Sequence, residues 1–277
     1  MNLPITAELK KVLEVTIQGC INAYNEKEMG AVDHSIYDMY SKFSFTENVD
    51  SLIDTTRKVE GIIARRGKSI LIIFQGSNGL ADWADNFKFW KENEKYRKGS
   101  LLTLAGDIVG ENISVKVHDG FHDQAKLAYP CIKTAVDAYM QEIPREEWDI
   151  IVTGHSLGGA VSTMTAFFLT RDFPEIRPAV TLVPHASPRV GNKTFVTSMN
   201  ANVGRIVRTV FETDIVTRVP MEILGFRHVG IELTLKKRNR RWYDRILHPW
   251  TENVGSMRDH YPQNYRDAIA KLGVLSC

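Results

Sequence analysis

The stretch from Trp148 to Leu169 constrains the fold more than any other part of the chain. It opens with a short apolar, β-branched run, Asp149-Ile150-Ile151-Val152-Thr153. It then passes through Gly154-His155-Ser156-Leu157-Gly158-Gly159 and continues as an apolar helical pattern from about Ala160. A buried strand that turns sharply into a buried helix is the context in which a Gly-x-Ser-x-Gly pattern has structural meaning. The serine sits at the apex of the turn, and the positions two residues either side are too crowded for a Cβ. Its hydroxyl is lifted clear of the sheet, and the amide of Leu157, at the helix N-terminus, is aimed where an anion can bind. Glycine-rich strand-to-helix turns also occur in nucleotide-binding folds. Here no Gly-x-x-x-x-Gly-Lys-Ser/Thr and no post-strand Gly-x-Gly-x-x-Gly supports that alternative.

The rest of the chain supplies elements that can surround such a turn. Residues 7–25 carry Leu9, Val12, Leu13, Ile17, Cys20, Ile21 and Tyr24 mostly at three- and four-residue steps, which predicts an amphipathic helix. Residues 27–55 are polar and mixed and read as loop with short helical turns. The runs 58–65 and 69–74 read as neighbouring strands ending at Gln75-Gly76-Ser77. Residues 91–117 read as an insertion with one or two short strands, followed by a helix reaching about Met140. Further strands are expected at 178–183, 204–211 and 226–235, with helices from about Lys193 and over 265–272. Alternating strands and helices without a repeat or linker predict one α/β domain over residues 1–277, built on a mostly parallel sheet flanked by helices.

Composition narrows the function classes. The net charge of +2 is too mild to imply a nucleic-acid partner. No stretch reaches the ~18 apolar residues of a membrane span. Cys20, Cys131 and Cys277 are scattered, without Cys-x-x-Cys spacing, which argues against a disulfide framework or a zinc site and for a reducing compartment. The opening residues, MNLPITAELKKVLEV, lack a basic-then-apolar leader, so the expectation stays open between a cytoplasmic location, a non-Sec route and a leader trimmed from this sequence. His118 and His122, with Asp119 and Asp123 nearby, raise a metal reading, but no third ligand is evident and no metal or cofactor is expected.

Two residues stand just past predicted strand ends, where α/β folds place their ligand crevices: Ser77 and Asp214. Locally, each is equally well read as a polar turn residue. With His260 they give the chain order Ser156, Asp214, His260, which is the order of Ser-Asp-His hydrolases of the α/β-hydrolase type.

At this point the sequence resembles the class 3 (fungal-type) lipases. The motifs run in the family's order from about residue 59 to 265. They are Phe74-Gln75-Gly76-Ser77 with Asp82-Trp83, Val117-His118-x-Gly120-Phe121, the Ser156 turn, Ser187-Pro188-Arg189-Val190-Gly191-Asn192, Asp214-x-Val216-x-Arg218-x-Pro220, His228-Val229-Gly230-x-Glu232, and Asp259-His260 before Tyr265. The resemblance implies an α/β-hydrolase fold with a short lid over about 79–90, whose Leu80, Trp83 and Phe87 would meet acyl chains. It implies Ser156, Asp214 and His260 as a catalytic triad, with Ser77 and Leu157 forming the oxyanion hole. The implied partner is a lipid ester, met at a transient lipid interface, with acylglycerols first; phospholipase A1 and feruloyl-type esterase activities are the alternatives. A non-catalytic lipid-binding member of the fold is the remaining reading. The sequence departs from the family at Gln75, where an arginine is usual, and at Thr217, where a proline is usual. His248 is a second candidate base, and His228 reads as structural. The basic tip Lys236–Arg241 suits a solvated hairpin or an anionic lipid surface.

Overall fold

A computed structural model describes residues 4–24, 33–50, 55–77, 101–104, 115–236 and 257–274. The core of the sheet is built from the chain's densest apolar runs. Strand β3 (Ser69–Phe74) lies parallel to β6 (Asp149–His155), which continues in parallel register to β7 (Val180–His185), β8 (Arg205–Phe211) and β9 (Ile231–Leu235). Two antiparallel strands, β1 (Met39–Asp50) and β2 (Thr55–Arg66), complete the order β1-β2-β3-β6-β7-β8-β9. Parallel strands need both faces covered, so their side chains are apolar on both. Ile70, Ile72, Phe74, Ile150 and Val152 point into one apolar layer, and Leu71, Ile73 and Ile151 into the other.

The first layer is filled by α2 (Asp119–Glu142), α3 (Leu157–Asp172) and α4 (Lys193–Asn202). The second is covered by α1 (Ala7–Ala23) and α5 (Pro262–Ala270), the two helices furthest apart in sequence. Helix α3 is buried on every side from Gly158 to Thr170, which is why its sequence is apolar all round and not amphipathic. A separate antiparallel pair, β4 (Leu101–Leu104) and β5 (Val115–His118), accounts for the short strands expected in the 91–117 insertion.

The sequence expectations need three corrections. Residues 39–50, read as loop, form a twelve-residue edge strand. One face of an edge strand meets solvent, so Phe43 is buried while Lys42, Ser44 and Thr46 are exposed, and the apolar signal is thin. Helix α3 begins at Leu157 and not at Ala160, because Gly158 and Gly159 lie inside its first turn. Strand β9 begins at Ile231, since Gly230, at φ +66°, turns the preceding backbone away from the sheet.

Candidate active site

The parallel strand ends deliver the chemically interesting residues to one corner. Ser156 follows the last residue of β6 and caps α3 with φ 59° and ψ −127°. A non-glycine residue at positive φ is strained, and such strain persists only where the surroundings over-determine it. They do so here. The Ser156 amide donates to the His185 carbonyl of β7 at 3.0 Å. A Cβ on Gly154 would stand 2.1 Å from the Gly158 carbonyl oxygen. The end of β3 presses on the same turn: a Cβ on Gly76 would lie 2.8 Å from the His155 carbonyl oxygen and 3.2 Å from Ser156 Cβ. The segment carrying Ser77 therefore runs against Ser156. Leu157 is the first residue of α3, where helix amides have no intrahelical acceptor.

Asp214 lies three residues past the end of β8 and has no solvent exposure. Three donors hold its carboxylate. His260 Nδ1 stands 2.8 Å from Oδ2, the Tyr265 hydroxyl donates to the same oxygen at 2.7 Å, and the Val216 amide donates to Oδ1 at 2.9 Å. Burial, and then the Asp214 charge, push the Tyr265 phenol well above its usual range, so it remains a donor. It also accepts from the Phe211 amide at 3.0 Å, which ties α5 to the end of β8. Thr217 Oγ1 donates to the Asp214 carbonyl at 3.0 Å, a bond that the family's usual proline could not make.

Two residues in this corner carry no role in the sequence reading: His155 and Tyr24. His155 Nε2 is 2.8 Å from the His260 carbonyl oxygen, and its Nδ1 is 3.0 Å from the Tyr24 hydroxyl. A carbonyl can only accept, so Nε2 carries the proton. Burial, followed by the charges of His260 and His185, holds His155 well below the usual imidazole range. The ring is therefore neutral, Nδ1 accepts, and Tyr24 donates. This chain of bonds fixes the backbone of His260 from the side of α1. His155 fills a variable position of the motif, and Tyr24 lies 131 residues away from it in sequence, so no local pattern joins them.

His118 and His228 have structural partners. His118 Nδ1 accepts from the Gly120 amide at 3.2 Å and its ring stacks on Phe121 with centroids 4.3 Å apart. His228 Nε2 donates to the Thr217 carbonyl at 2.7 Å. No cluster of three His, Cys, Asp or Glu able to hold a metal occurs among the described residues. The lid candidate 79–90 with Leu80, Trp83 and Phe87, the alternative base His248, and residues 237–241 of the basic tip all lie outside the described residues.

With this geometry in place, the sequence pattern of the family described as Lipase (class 3) matches residues 71–224. The chain belongs to the class 3 lipase family. A secreted mono- and diacylglycerol lipase 1 of Fusarium solani is 31% identical over 190 residues, 68% of this chain and 50% of that protein. A phospholipase A(1) DAD1 of Arabidopsis thaliana is 27% identical over 178 residues, 60% of this chain and 37% of that protein. The chain thus spans half or less of the length of these relatives. The α/β fold, with its mostly parallel sheet flanked by helices, is shared with a solved triacylglycerol lipase (TM-score 0.63, 22% identity) across 92% of this chain and 94% of the other. It is also shared with Rhizomucor miehei lipase in complex with its propeptide (TM-score 0.61, 23% identity, 84% and 68%).

Proposed function

We propose that this class 3 lipase hydrolyses carboxylic esters of lipids through Ser156, His260 and Asp214, with acylglycerols as its substrates. The observation that carries the reading is the His260–Asp214 pair, 2.8 Å apart and bonded through His155 to the turn that presents Ser156. Ser156 Oγ attacks the ester carbonyl carbon while His260 Nε2 takes its proton. The tetrahedral oxyanion is met by the amides of Leu157 and Ser77. Collapse breaks the bond to the alcohol oxygen, His260 returns the proton to that leaving group, and an acyl-Ser156 remains. Water, activated by the same imidazole, then releases the fatty acid. Asp214 sets the Nδ1–H tautomer and stabilises the imidazolium. Each oxyanion donor lowers the barrier by about 2.7 to 4 kcal/mol.

Acylglycerols are favoured because the Fusarium solani relative named for mono- and diacylglycerols is more similar than the relative named for phospholipase A1 activity. Purified protein is expected to react with a fluorophosphonate probe and to cleave a p-nitrophenyl ester. Ser156→Ala should lose both while keeping its melting temperature. Activity retained in that variant would remove the proposal. Parallel rates on monoacylglycerol, triacylglycerol and phosphatidylcholine settle the substrate class, and a preference for the sn-1 ester of phosphatidylcholine would turn the reading to phospholipase A1.

A further inference from the structure

Three of the family's motifs converge on a second place in the molecule that the triad does not use. Arg189, Arg218, His228 and Glu232 all line one cavity of about 930 Å³, set beside α4 and one face of β8 and β9. On this face of the sheet the apolar layer stops at Ile206; the next residue pointing the same way is Arg208. Arg189 and Arg208 are the most deeply set cations, each side chain only 12% exposed. Lys193, Arg218 and Arg227 are exposed at the rim.

The charges in this cavity do not cancel. Arg189 Nη2 pairs with Glu222 at 3.0 Å and Arg208 Nη2 with Glu232 at 2.6 Å. That leaves three rim cations facing the single carboxylate of Glu212. Arg218 and Arg227 donate instead to backbone carbonyls, those of Glu212 at 2.8 Å and Glu222 at 2.7 Å. Arg189 Nη1 also donates to the Arg218 and Pro220 carbonyls, while the Nε of Arg189 and the Nε of Arg208 are buried, with no hydrogen-bond partner among the described residues. A buried donor left unpaired costs about 1 to 3 kcal/mol, and here two occur in one cavity. Burial lowers the affinity of both guanidiniums for their proton, and Arg208 and Arg227 repel the Arg189 charge further. Like charges gathered on the lining of one cavity are satisfied together by one multivalent acceptor.

We propose that this cavity binds an oxyanion of the phosphate or phosphate-ester class, held by Arg189 and Arg208 with Lys193 and Arg227 at its rim. The site is separate from the triad but adjoins it. Thr217 lines the cavity and is hydrogen-bonded to the Asp214 backbone. The proposal does not rest on the hydrolase reading, since it concerns a binding equilibrium that an inactive protein would also show. The acceptor is either a dissolved phosphate ester or the headgroup of a phospholipid, and the two leave different signatures.

The test is calorimetric titration of the full chain with inorganic phosphate and with glycerol 3-phosphate at constant ionic strength, with chloride as the blank. Alongside it, phosphatidylcholine vesicles with and without phosphatidic acid are sedimented with the protein. One saturable anion per chain is expected. Arg208→Gln should abolish it, and the doubly substituted Lys193→Ala/Arg227→Ala should weaken it about tenfold. The rim residues are exposed, so the double variant decides the matter if Arg208→Gln fails to fold. Binding of the soluble ligands, with vesicle partition indifferent to phosphatidic acid, identifies a dissolved ester. Partition that depends on phosphatidic acid and falls in the same variants identifies a headgroup. No saturable binding to either ligand or vesicle, or binding unchanged in both variants, overturns the proposal.

Discussion

The centre of the sheet and its β8–β9 edge solve the same problem in opposite ways. Around β3, β6 and β7 both faces are apolar, and backbone meets backbone so closely that glycine is the residue that fits. Polar groups enter there in bond chains such as Tyr24–His155–His260. At β8 and β9 one face stays apolar through Val207, Phe211, Leu233 and Leu235. The other carries Arg208, Glu232 and Thr234. The centre is held by packing that tolerates no extra atom. The edge is held by charges that water can partly replace. A strained Ser156 backbone belongs in the first environment, because only a rigid surround keeps a residue at positive φ.

The contrast can be broken most violently at Gly154. Alanine there would place a methyl group 2.1 Å from the Gly158 carbonyl oxygen and 2.9 Å from the Gly159 nitrogen, all of it helix backbone and not a flexible side chain. Gly154→Ala is expected to cost more than about 4 kcal/mol, enough to leave little soluble folded protein by circular dichroism. A variant melting within a few degrees of wild type would mean that the turn is far more pliable than its contacts indicate.

Acid is the next largest lever, and it acts on both regions. Burial holds His185 and His228 down to about 3 and His118 to about 4, and lowers His155 as well. Each is neutral when folded and takes a proton near pH 6.5 when unfolded. The unfolded chain therefore binds more protons below that pH, and stability falls as the solution is acidified from about 6.5 towards 4. Each such histidine contributes up to about 1.4 kcal/mol per pH unit. Denaturant midpoints at constant salt should show this slope, and His185→Gln should make it shallower. A flat profile across that window would refute the neutral, buried assignment.

Tyr24→Phe sharpens the picture of the centre with a single atom. It removes the donor to His155 Nδ1 and should cost about 1 to 3 kcal/mol. If the bond chain positions His260, kcat falls while KM holds; an unchanged kcat with lowered stability would leave Tyr24 a purely structural role. The smallest effect is expected on the surface pair Arg205–Glu8, whose side chains are 44% and 75% exposed. Arg205→Ala should change stability by no more than about 0.5 kcal/mol.

How much of this was legible in the sequence follows the same division. The runs Ile70–Phe74 and Ile150–Val152 announce themselves because both faces are buried, leaving no polar residue to blur the pattern. The edge strand 39–50 hides, since solvent on one side permits Lys42, Ser44 and Thr46. The Gly158-Gly159 pair looks like turn and is helix, because the demand for small residues comes from the Phe74 carbonyl and the Ser187 side chain, contacts no local pattern reports. At the candidate site, motif and order single out Ser156, Asp214 and His260 as the proposed triad. Tyr24 and His155 could not be picked out, because the partners they bond to are remote in sequence. The excess of cations beside β8 was equally hidden, spread over several separated segments that read singly as turns and strand ends.

The pairing of α1 with α5 on one face of the sheet bears on how this chain can be dissected. The segment that carries the family pattern, residues 71–224, contains Ser156 and Asp214 but neither of those helices. Cut to that segment, the protein would lose His260 and the Tyr265 clamp on Asp214, together with the Tyr24 hydroxyl at the far end of the chain. It would also strip one whole side of the sheet, exposing Leu71, Ile73, Ile151 and Val183 to water. The part most easily identified is therefore not a part that can stand alone: its two distant flanks behave as a single module, and fragments meant to keep this corner intact must retain both.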